Sequence, residues 1–308
     1  MYTIPPKKMV IINILDILKK YSDMDHRLTQ AQIIEILKKE YYMDVDRRTV
    51  KRNLMNLLDF DFGIDYTEII KKNEKGEEIP ICTDWYITRE FDDSEIRLLI
   101  DSVLFSKTIP QKQCKKLIDK LKGLSNIYFE KKVNHICSLP EIRPENKELF
   151  YTIDVLDEAI SKGKKVSFIY NSYGTDKKLH PKREREYVIN PYQMVATNGR
   201  YYLICNYDKY DTLSNYRIDR ITGIKMMNEK RKSIKELKEG EINLPKHMAE
   251  HLYMFAGESI RVKFKAKNYI IDQIIDWFGF GPKITKQDED TCMVEVEVNE
   301  EAFFHWAM

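Results

Sequence analysis

The chain has 308 residues, which is too long for one ordinary hydrophobic core and predicts two or three domains. Because 51 Lys and Arg side chains nearly balance 49 Asp and Glu side chains, the net charge of +2 excludes no class of partner, and any basic surface must be local. No apolar run reaches the roughly 18 residues that a membrane span needs, and no secretory signal pattern is visible. We therefore expect a cytoplasmic protein without a membrane partner, whose scattered cysteines are reduced.

The first 90 residues predict three helices followed by a β-hairpin, which is the order of a winged helix-turn-helix. The predicted helices are Lys7–Tyr21, Leu28–Glu40 and Asp46 to about Leu58, and the predicted strands are Ile64–Ile70 and Ile79–Thr88. Thr29 and Gln32 have the spacing of a capping box, and Asp46 is a good N-cap. The turn-rich hairpin tip carries Lys71 and Lys72.

The third predicted helix has one apolar face and one polar face. At 100° per residue, Val50, Leu54 and Leu57 point inward. The outward and flanking side chains form a candidate set of DNA contacts, namely Arg47, Arg48, Thr49, Lys51, Arg52 and Asn56. Arg pairs with guanine and Asn with adenine through two hydrogen bonds, whereas Thr and Lys suit phosphates. A solvated basic helix face is the ordinary alternative, but the winged-helix order favours DNA binding, with Lys71 and Lys72 reaching backbone phosphates.

Past residue 90 the pattern changes twice. Two helices, Asp92–Ser106 and Gln111–Leu124, are predicted first, followed by a Pro-containing linker, Ser138–Asn146. One helix and four short strands come next, at Tyr151–Ser161, Lys165–Tyr170, Glu186–Ala196, Arg200–Tyr207 and Leu213–Ile221. Asn198-Gly199 is a typical tight hairpin turn. Strands this closely spaced predict a small, curved, barrel-like sheet.

The last 50 residues predict the order β-α-β-β-α. Ser259–Lys265 alternates strictly between apolar and polar residues, Asn268–Phe278 is helical, and Val294, Val296 and Val298 alternate with glutamates. This order is a ferredoxin-like unit that lacks its final strand. We expect the unit to be truncated or to be completed by a partner.

The segment 198–205, with the sequence NGRYYLIC, resembles the signature of the WYL family, with Tyr201 where the family has Trp. The segments 216–221, 166–170 and 190–192 also resemble family landmarks, and 254–258, 278–279 and Trp306 resemble the extension that often follows WYL domains. The resemblance implies an Sm-like small β-barrel that senses a ligand and controls an attached DNA-binding domain. In several relatives this ligand is thought to be single-stranded nucleic acid.

Together these observations predict a multidomain α+β protein. The predicted domains are a winged helix-turn-helix at 1–90, a helical linker and dimerisation region at 91–147, an Sm-like WYL barrel at 148–230 and a ferredoxin-like extension at 235–308.

The candidate ligand contacts lie in the predicted barrel and are Ser167, Tyr170, Arg200, Tyr202, Arg217 and Arg220. Ser167 and Tyr170 come mainly from the family resemblance. Tyrosines offer stacking faces, and arginines offer paired donors for phosphates or planar bases. The basic run Lys177–Arg185 is typical of a solvated loop, and the alternative is that it follows an anionic ligand.

Strand alternation limits this candidate set. Arg217 and Arg220 are an odd number of residues apart, so they share a site only if the strand ends or bulges between them. Arg220 has a structural alternative as an ion-pair partner of Asp219. Tyr201 and Leu203 share a face that is more typical of core than of a binding surface.

The sequence gives little sign of an enzyme. It has no Gly-rich phosphate loop, nucleophile elbow or H-E-x-x-H pattern, and His135 and Cys137 have no second pair to form a zinc site. We therefore expect no catalytic residues, no metal and no cofactor. The leading hypothesis is a homodimeric transcription regulator that binds double-stranded operator DNA and responds to a nucleic-acid or phosphate-bearing effector. The alternative is an accessory protein of a nucleic-acid defence system that binds RNA or single-stranded DNA.

Overall fold

The computed structural model describes residues 7–72, 76–133, 146–238 and 240–308. Two compact units account for them: the first lies within Met1–Phe105 and Lys112–Glu141, and the second within Ser106–Gln111 and Ile142–Met308. The centre of the hairpin tip, His135, Cys137 and most of the predicted linker Ser138–Asn146 lie outside the described residues.

The first unit begins with three helices and a hairpin, in the predicted order. The elements are α1 (Val10–Tyr21), α2 (Gln30–Tyr41), α3 (Arg47–Asp59), β1 (Ile64–Lys72) and β2 (Glu78–Ile87). The capping box is present, because the Thr29 hydroxyl accepts from the Gln32 N–H and the Gln32 side chain accepts from the Thr29 N–H. Asp46 caps α3 as predicted. Each such cap contributes about 1 kcal/mol, which explains why the helix starts were predictable.

The core of the three helices and the hairpin is continuous. Fully buried side chains come from all three helices and from β2, including Ile14, Leu18, Ile33, Leu37, Val50, Leu54 and Trp85. Leu28 and Trp85 exchange both of their backbone hydrogen bonds at 2.8 Å. This isolated bridge fixes the start of α2 against the hairpin.

Three further helices complete the first unit: α4 (Asp93–Phe105), α5 (Gln111–Lys122) and α6 (Ile127–Val133). The sequence pattern did not predict α6, which has only seven residues. Asn126 starts it, accepting from the N–H groups of Tyr128 and Phe129 through Oδ1 and donating through Nδ2 to Asp23 Oδ2 at 2.6 Å. Arg89 donates to the Ser22 carbonyl at 2.8 Å. These contacts attach the residues just before α4 and α6 to Ser22 and Asp23, which follow α1.

The second unit contains a curled antiparallel sheet. Its elements are α7 (Leu149–Lys162), β3 (Lys164–Tyr173), β4 (Leu179–Pro181), β5 (Tyr187–Thr197), β6 (Arg200–Asn206), β7 (Ser214–Arg217) and β8 (Ile221–Lys230). The hydrogen-bonded order is β8-β3-β5-β6-β7, with the short β4 also on β3. A single 3₁₀ turn, Ile218–Arg220, joins β7 to β8, the two ends of this order. A sheet whose first and last strands are only three residues apart must curl back on itself.

The curled sheet differs from the predicted strands where it closes and agrees with the prediction at its tight turn. The predicted strand Leu213–Ile221 is wrong as one element, because the 3₁₀ turn divides it. The Asn198-Gly199 turn is confirmed, with φ of 51° and 72°, values that a tight hairpin requires and that Asn and Gly tolerate. The interior is filled by α7 and by alternate strand residues, such as Val166, Phe168 and Leu203.

The C-terminal part of the second unit has the predicted order β-α-β-β-α. After α8 (Leu244–Glu250) come β9 (Ser259–Lys267), α9 (Ile271–Phe278), β10 (Lys283–Lys286), β11 (Thr291–Asn299) and α10 (Glu300–Ala307). The sheet order is β10-β11-β9, and among the described strands β9 pairs with β11 alone. Trp306 is half-buried against Phe264 and Phe278. The expectation of a further strand stays a prediction.

Helices and curled antiparallel sheets therefore make this an α+β protein, as predicted. Within the described ranges, every helix is too short or too polar to cross a lipid bilayer. Cys82, Cys205 and Cys292 are free thiols, and burial raises the pKa of Cys205 well above its ordinary value.

Candidate functional site

The exposed face of α3 is strongly basic. Arg48, Lys51, Arg52 and Asn56 are all exposed, while Val50 and Leu54 on the other face are fully buried. Helical geometry places Arg48, Arg52 and Asn56 along one line at intervals of four residues. The structure thus brings together four of the six predicted side chains as one accessible surface.

The other two predicted contacts on α3 already have intramolecular partners. Arg47 donates through Nε to Gln30 Oε1 on α2 at 3.0 Å. The Thr49 hydroxyl donates to Asp46 Oδ2 at 2.8 Å, as part of the cap. The sequence pattern did not predict these bonds, and they make Arg47 and Thr49 weaker candidates for base contacts than their neighbours.

The electrostatics of α3 are unfavourable for an isolated helix. Arg47, Arg48, Lys51 and Arg52 crowd its first two turns, where the helix dipole is positive and prefers anions. Asp46 is the one acid at this end among the described cap and first-turn residues, and hydrogen bonds from Thr49 hold its pKa below the ordinary value. A polyanion placed against this face would relieve both the dipole conflict and the mutual repulsion.

The hairpin carries the predicted wing lysines in accessible positions. Lys71 and Lys72 are exposed at the end of β1, where they pair in register with Ile79 and Glu78. The three residues after Lys72 lie outside the described residues.

A second polar cluster lies where the curled sheet closes. Arg217 ends β7 and donates through Nε and Nη2 to the two carboxylate oxygens of Asp219, at 3.0 and 2.6 Å. Asp219 is only 1% exposed. Burial lowers the pKa of Arg217, but the bonds to Asp219 more than offset this and raise it above its ordinary value. The strand ends between Arg217 and Arg220, which is the condition under which both can line one site.

This ion pair corrects the sequence interpretation. Asp219 was considered as a partner of Arg220, whereas the structure pairs it with Arg217. The sequence does show an acid two residues after Arg217. Strand alternation does not predict that the two side chains pair, because Asp219 lies in the 3₁₀ turn and not in the strand. Asp219 therefore neutralises part of the positive charge that Arg217 brings to this cluster.

Tyr170 and Tyr202 are both buried beside this pair. The Tyr170 hydroxyl accepts the backbone N–H of Arg217 at 3.4 Å, and burial raises the pKa of Tyr170. Tyr202 lies opposite Arg217 in the β6–β7 register, and burial raises its pKa, while the charges of Arg217, Arg200 and Arg220 act to lower it. The three arginines therefore share one electrostatic neighbourhood around the Tyr202 phenol.

The burial of Tyr202 contradicts its assignment as an open stacking face. Tyr202 belongs to a second apolar cluster with Ile204, Leu213, Leu237 and Met254, on the face of β6 opposite Leu203. Both faces of β6 are thus covered, and the predicted core role extends from Leu203 to Tyr202.

Arg200 and Arg220 are half-buried, and Ser167 is buried. Among the described residues, Nε of Arg220 is a buried donor without a hydrogen-bond partner, and its guanidinium lies 5.8 Å from the ring centre of Tyr173. Alternation along β3 places Ser167 on the face opposite Tyr170, so the structure does not bring these two predicted contacts together.

One motif that the sequence interpretation missed is His247-Met248-Ala249-Glu250-His251, which has the H-x-x-E-H spacing of some metalloenzymes. Here α8 ends at Glu250, and both ring nitrogens of His251 lie within 3.1 Å of the carbonyl oxygens of His247 and Gly257. Those nitrogens are the atoms that a metal would need. Across the residues that the structure describes, three or more His, Cys, Asp or Glu side chains nowhere gather to hold a metal ion.

The second unit therefore contains a small curled-sheet domain of one helix and six antiparallel strands. The Arg217–Asp219 pair lies where the two ends of the sheet order are joined. Residues 151–226 match the family model of the WYL domain. The resemblance stated from the sequence is confirmed for these residues.

Other comparisons are weaker. Solved structures that match include proteasome accessory factor B/C (PafBC) of Arthrobacter aurescens, with 10% sequence identity and a TM-score of 0.30. The match covers 98% of this chain and 47% of that chain, so this chain spans about half of the length of the matched protein. A similarity of this size carries no argument about fold or function. The search of curated proteins gives no match.

Proposed function

We propose that the protein is a transcription regulator that binds double-stranded operator DNA through α3 and senses a ligand through its WYL domain. In this proposal residues 1–90 act as a winged helix-turn-helix, the WYL domain is an Sm-like barrel, and the C-terminal part is a ferredoxin-like extension. The protein acts in the cytoplasm, and no catalytic activity is assigned to it.

The observation that carries the proposal is the concentration of cations at the N-terminal end of α3, where the helix dipole disfavours positive charge. A structural helix gains from acids in its first turn, whereas α3 has Arg47, Arg48, Lys51 and Arg52 in its first two turns. The N-terminal part of a recognition helix meets base edges and phosphates in the major groove, where these charges become favourable. Four cations against one capping acid, Asp46, leave this conflict largely uncompensated among the described residues, which is typical of a functional surface.

The ligand-sensing part of the proposal is supported by the Arg217 cluster. The charges of Arg200, Arg217 and Arg220 all act on the Tyr202 phenol, and among the described residues Asp219 is the acid that pairs with Arg217. The buried Nε of Arg220 is a donor that an acceptor on a ligand would satisfy. An effector that is a nucleic acid or carries a phosphate suits these donors.

We propose that two copies of the chain form a homodimer through the exposed apolar surface of α4. Leu98 and Phe105 are 69% and 65% exposed, and Leu99 beside them is 39% exposed. Side chains at 98, 102 and 105 lie on one side of a helix. Two copies that meet through this stripe would present two α3 helices to a palindromic site and improve discrimination.

The test is selection of duplex fragments from a random library by the full chain, followed by titration of the selected site. Arg48→Ala/Arg52→Ala is expected to lose about 1–3 kcal/mol for each two-point base contact. Lys115→Ala/Lys116→Ala, which removes the same charge from exposed positions of α5, serves as the control and should keep its affinity. If the chain selects no duplex but retains RNA or single-stranded DNA, the accessory role in a defence system becomes the better hypothesis.

A further inference from the structure

The interior of the curled sheet contains a connected group of aromatic rings. Tyr187 is parallel to Phe168 at 5.7 Å between ring centres, and Tyr216 lies 5.6 Å from Tyr187. Tyr207 is 6.1 Å from Tyr187, tilted by 49°, and its hydroxyl is 3.0 Å from that of Tyr216. Tyr187 and Tyr207 therefore form two walls of an aromatic corner.

Arg183 covers this corner. Its guanidinium carbon lies 3.4 Å from the ring centre of Tyr187 and 5.8 Å from that of Tyr207. Arg183 is exposed although the ring beneath it is only 7% exposed. The guanidinium is thus a cover between a buried aromatic ring and solvent.

The hydrogen bonds of this cover are local. Arg183 donates through Nε to the carbonyl of Arg185 and through Nη2 to the carbonyl of Glu186, at 3.1 and 3.0 Å. Both acceptors belong to the same short link between β4 and β5, and they are neutral backbone groups. Displacing the Arg183 side chain would therefore break only these two hydrogen bonds to backbone carbonyls, and water can replace both. No strand pairing would be lost.

We propose that the face of Tyr187 beneath Arg183 is a stacking site for a planar ring of a ligand, with a nucleobase as the chemical class, and that Arg183 is its displaceable cover. A guanidinium is flat and delocalised, and at 3.4 Å it occupies the position that a stacked heteroaromatic ring would take. Tyr207 supplies the second wall. The site is distinct from the Arg217 cluster and does not depend on DNA binding by α3.

The link around Arg183 has a small positive excess. Lys182, Arg183 and Arg185 are exposed in it, and so are the acids Glu184 and Glu186, which leaves a net charge of +1. A phosphate attached to the stacked base is favoured where it lies beside Lys182 or Arg185. Stacking on tyrosine is tolerant of base identity, because every base presents a π face.

The experiment titrates the fluorescent nucleoside 1,N6-ethenoadenosine into the full chain. It has the ring but no phosphate, so stacking is measured without charge attraction. Arg183→Ala is expected to bind about two- to fivefold more tightly than the wild-type chain, since an exposed cation–π contact no longer competes. Adding Tyr207→Leu should reverse this gain, and Tyr207→Phe, which keeps a ring, should retain it. Arg185→Ala removes the same charge from the same link and should leave affinity unchanged.

Two results would overturn the proposal. The first is equal affinity, or no saturable binding, for the wild-type chain and Arg183→Ala. Arg183 and the control residue Arg185 are both exposed, so neither change should disturb folding and complicate this comparison. The second is loss of binding in Arg220→Gln but not in Tyr207→Leu, which would place the probe in the Arg217 cluster. A phosphate-bearing probe, ethenoadenosine monophosphate, should bind more tightly than the nucleoside, and this advantage should shrink as salt rises.

Discussion

The guanidinium of Arg217 holds the carboxylate of Asp219 through two parallel hydrogen bonds, at the point where the curled sheet closes. Asp219 is almost completely buried, and the Arg217 side chain is 15% exposed. Removing one partner of such a buried pair strongly destabilises the folded state, because the remaining charge is left buried without a counter-charge.

We therefore expect Arg217→Ala to lower the free energy of unfolding by about 3–5 kcal/mol, as is typical of broken buried pairs. Arg217→Leu/Asp219→Leu should be less destabilising than either single change, since neither charge is then left alone. Urea denaturation of the wild-type chain, Arg217→Leu, Asp219→Leu and the double variant gives the coupling energy between the two side chains directly. Independent, additive effects of the two changes would show that the pair contributes nothing.

This prediction also changes how ligand experiments on Arg217 are interpreted. A simple alanine change confounds lost ligand contact with lost stability. Arg220→Gln is the cleaner probe of the cluster, because Arg220 has no acid partner among the described residues and Gln keeps a donor.

The wing lysines and the α3 arginines should affect DNA binding differently. Lys71→Ala/Lys72→Ala is expected to weaken binding to all duplexes alike and to reduce the slope of log affinity against log salt by about 2, one for each lost phosphate contact. Arg48→Ala/Arg52→Ala should instead reduce the preference for the selected site. Titrations at several salt concentrations, on selected and scrambled duplexes, separate the two effects. An unchanged slope after loss of both lysines would remove the hairpin from the interface.

The dimer proposal leads to a test on α4. Leu98→Glu/Phe105→Glu should give a monomer, because it places two acids in the centre of the proposed apolar contact. Ile12→Glu is the matched control: this side chain on α1 is 54% exposed and should not affect assembly. Sedimentation velocity at micromolar concentration distinguishes the species. A wild-type chain that is already monomeric, with and without DNA, would contradict the proposal.

Stability should also depend on pH through His247. Burial, helped by the charge of His251, lowers the pKa of His247 from 6.5 to about 4. Between these values the unfolded chain binds a proton that the folded chain does not, so stability falls as pH decreases, by at most about 1.4 kcal/mol per pH unit from this group. His247→Asn should flatten the dependence between pH 6.5 and 4, whereas the exposed His305→Asn should not. Urea denaturation at several pH values measures both.

The sequence predicted those features that depend on neighbours in the chain. The starts of α2 and α3 follow from Thr29 and Asp46, and the β5–β6 hairpin follows from Asn198-Gly199. Features that depend on tertiary packing were missed. Tyr202 is buried because the C-terminal part of the second unit supplies Met254 and its neighbours as a second apolar layer, which periodicity along β6 does not reveal.

The candidate sites divide in the same way. The basic face of α3 was predictable, because amphipathic spacing alone separates Arg48 and Arg52 from Val50. The Arg217–Asp219 pair was not, because it requires a strand to end where the apolar pattern continues through Ile218. Short elements such as α6 and β4 were also missed, since three to seven residues give too few turns or alternations to form a pattern.

The three-residue turn between β7 and β8 has a consequence for engineering the chain. Ile218–Arg220 joins the first and last strands of the sheet order and contains Asp219, so its length sets how close Asp219 lies to Arg217. Residues inserted between Arg217 and Asp219 would separate the two partners of the ion pair. The exposed loop from Gly174 to Lys178, between β3 and β4, joins strands that are already side by side. A reporter tag or fluorophore is best accommodated in that loop, where added length is absorbed by solvent.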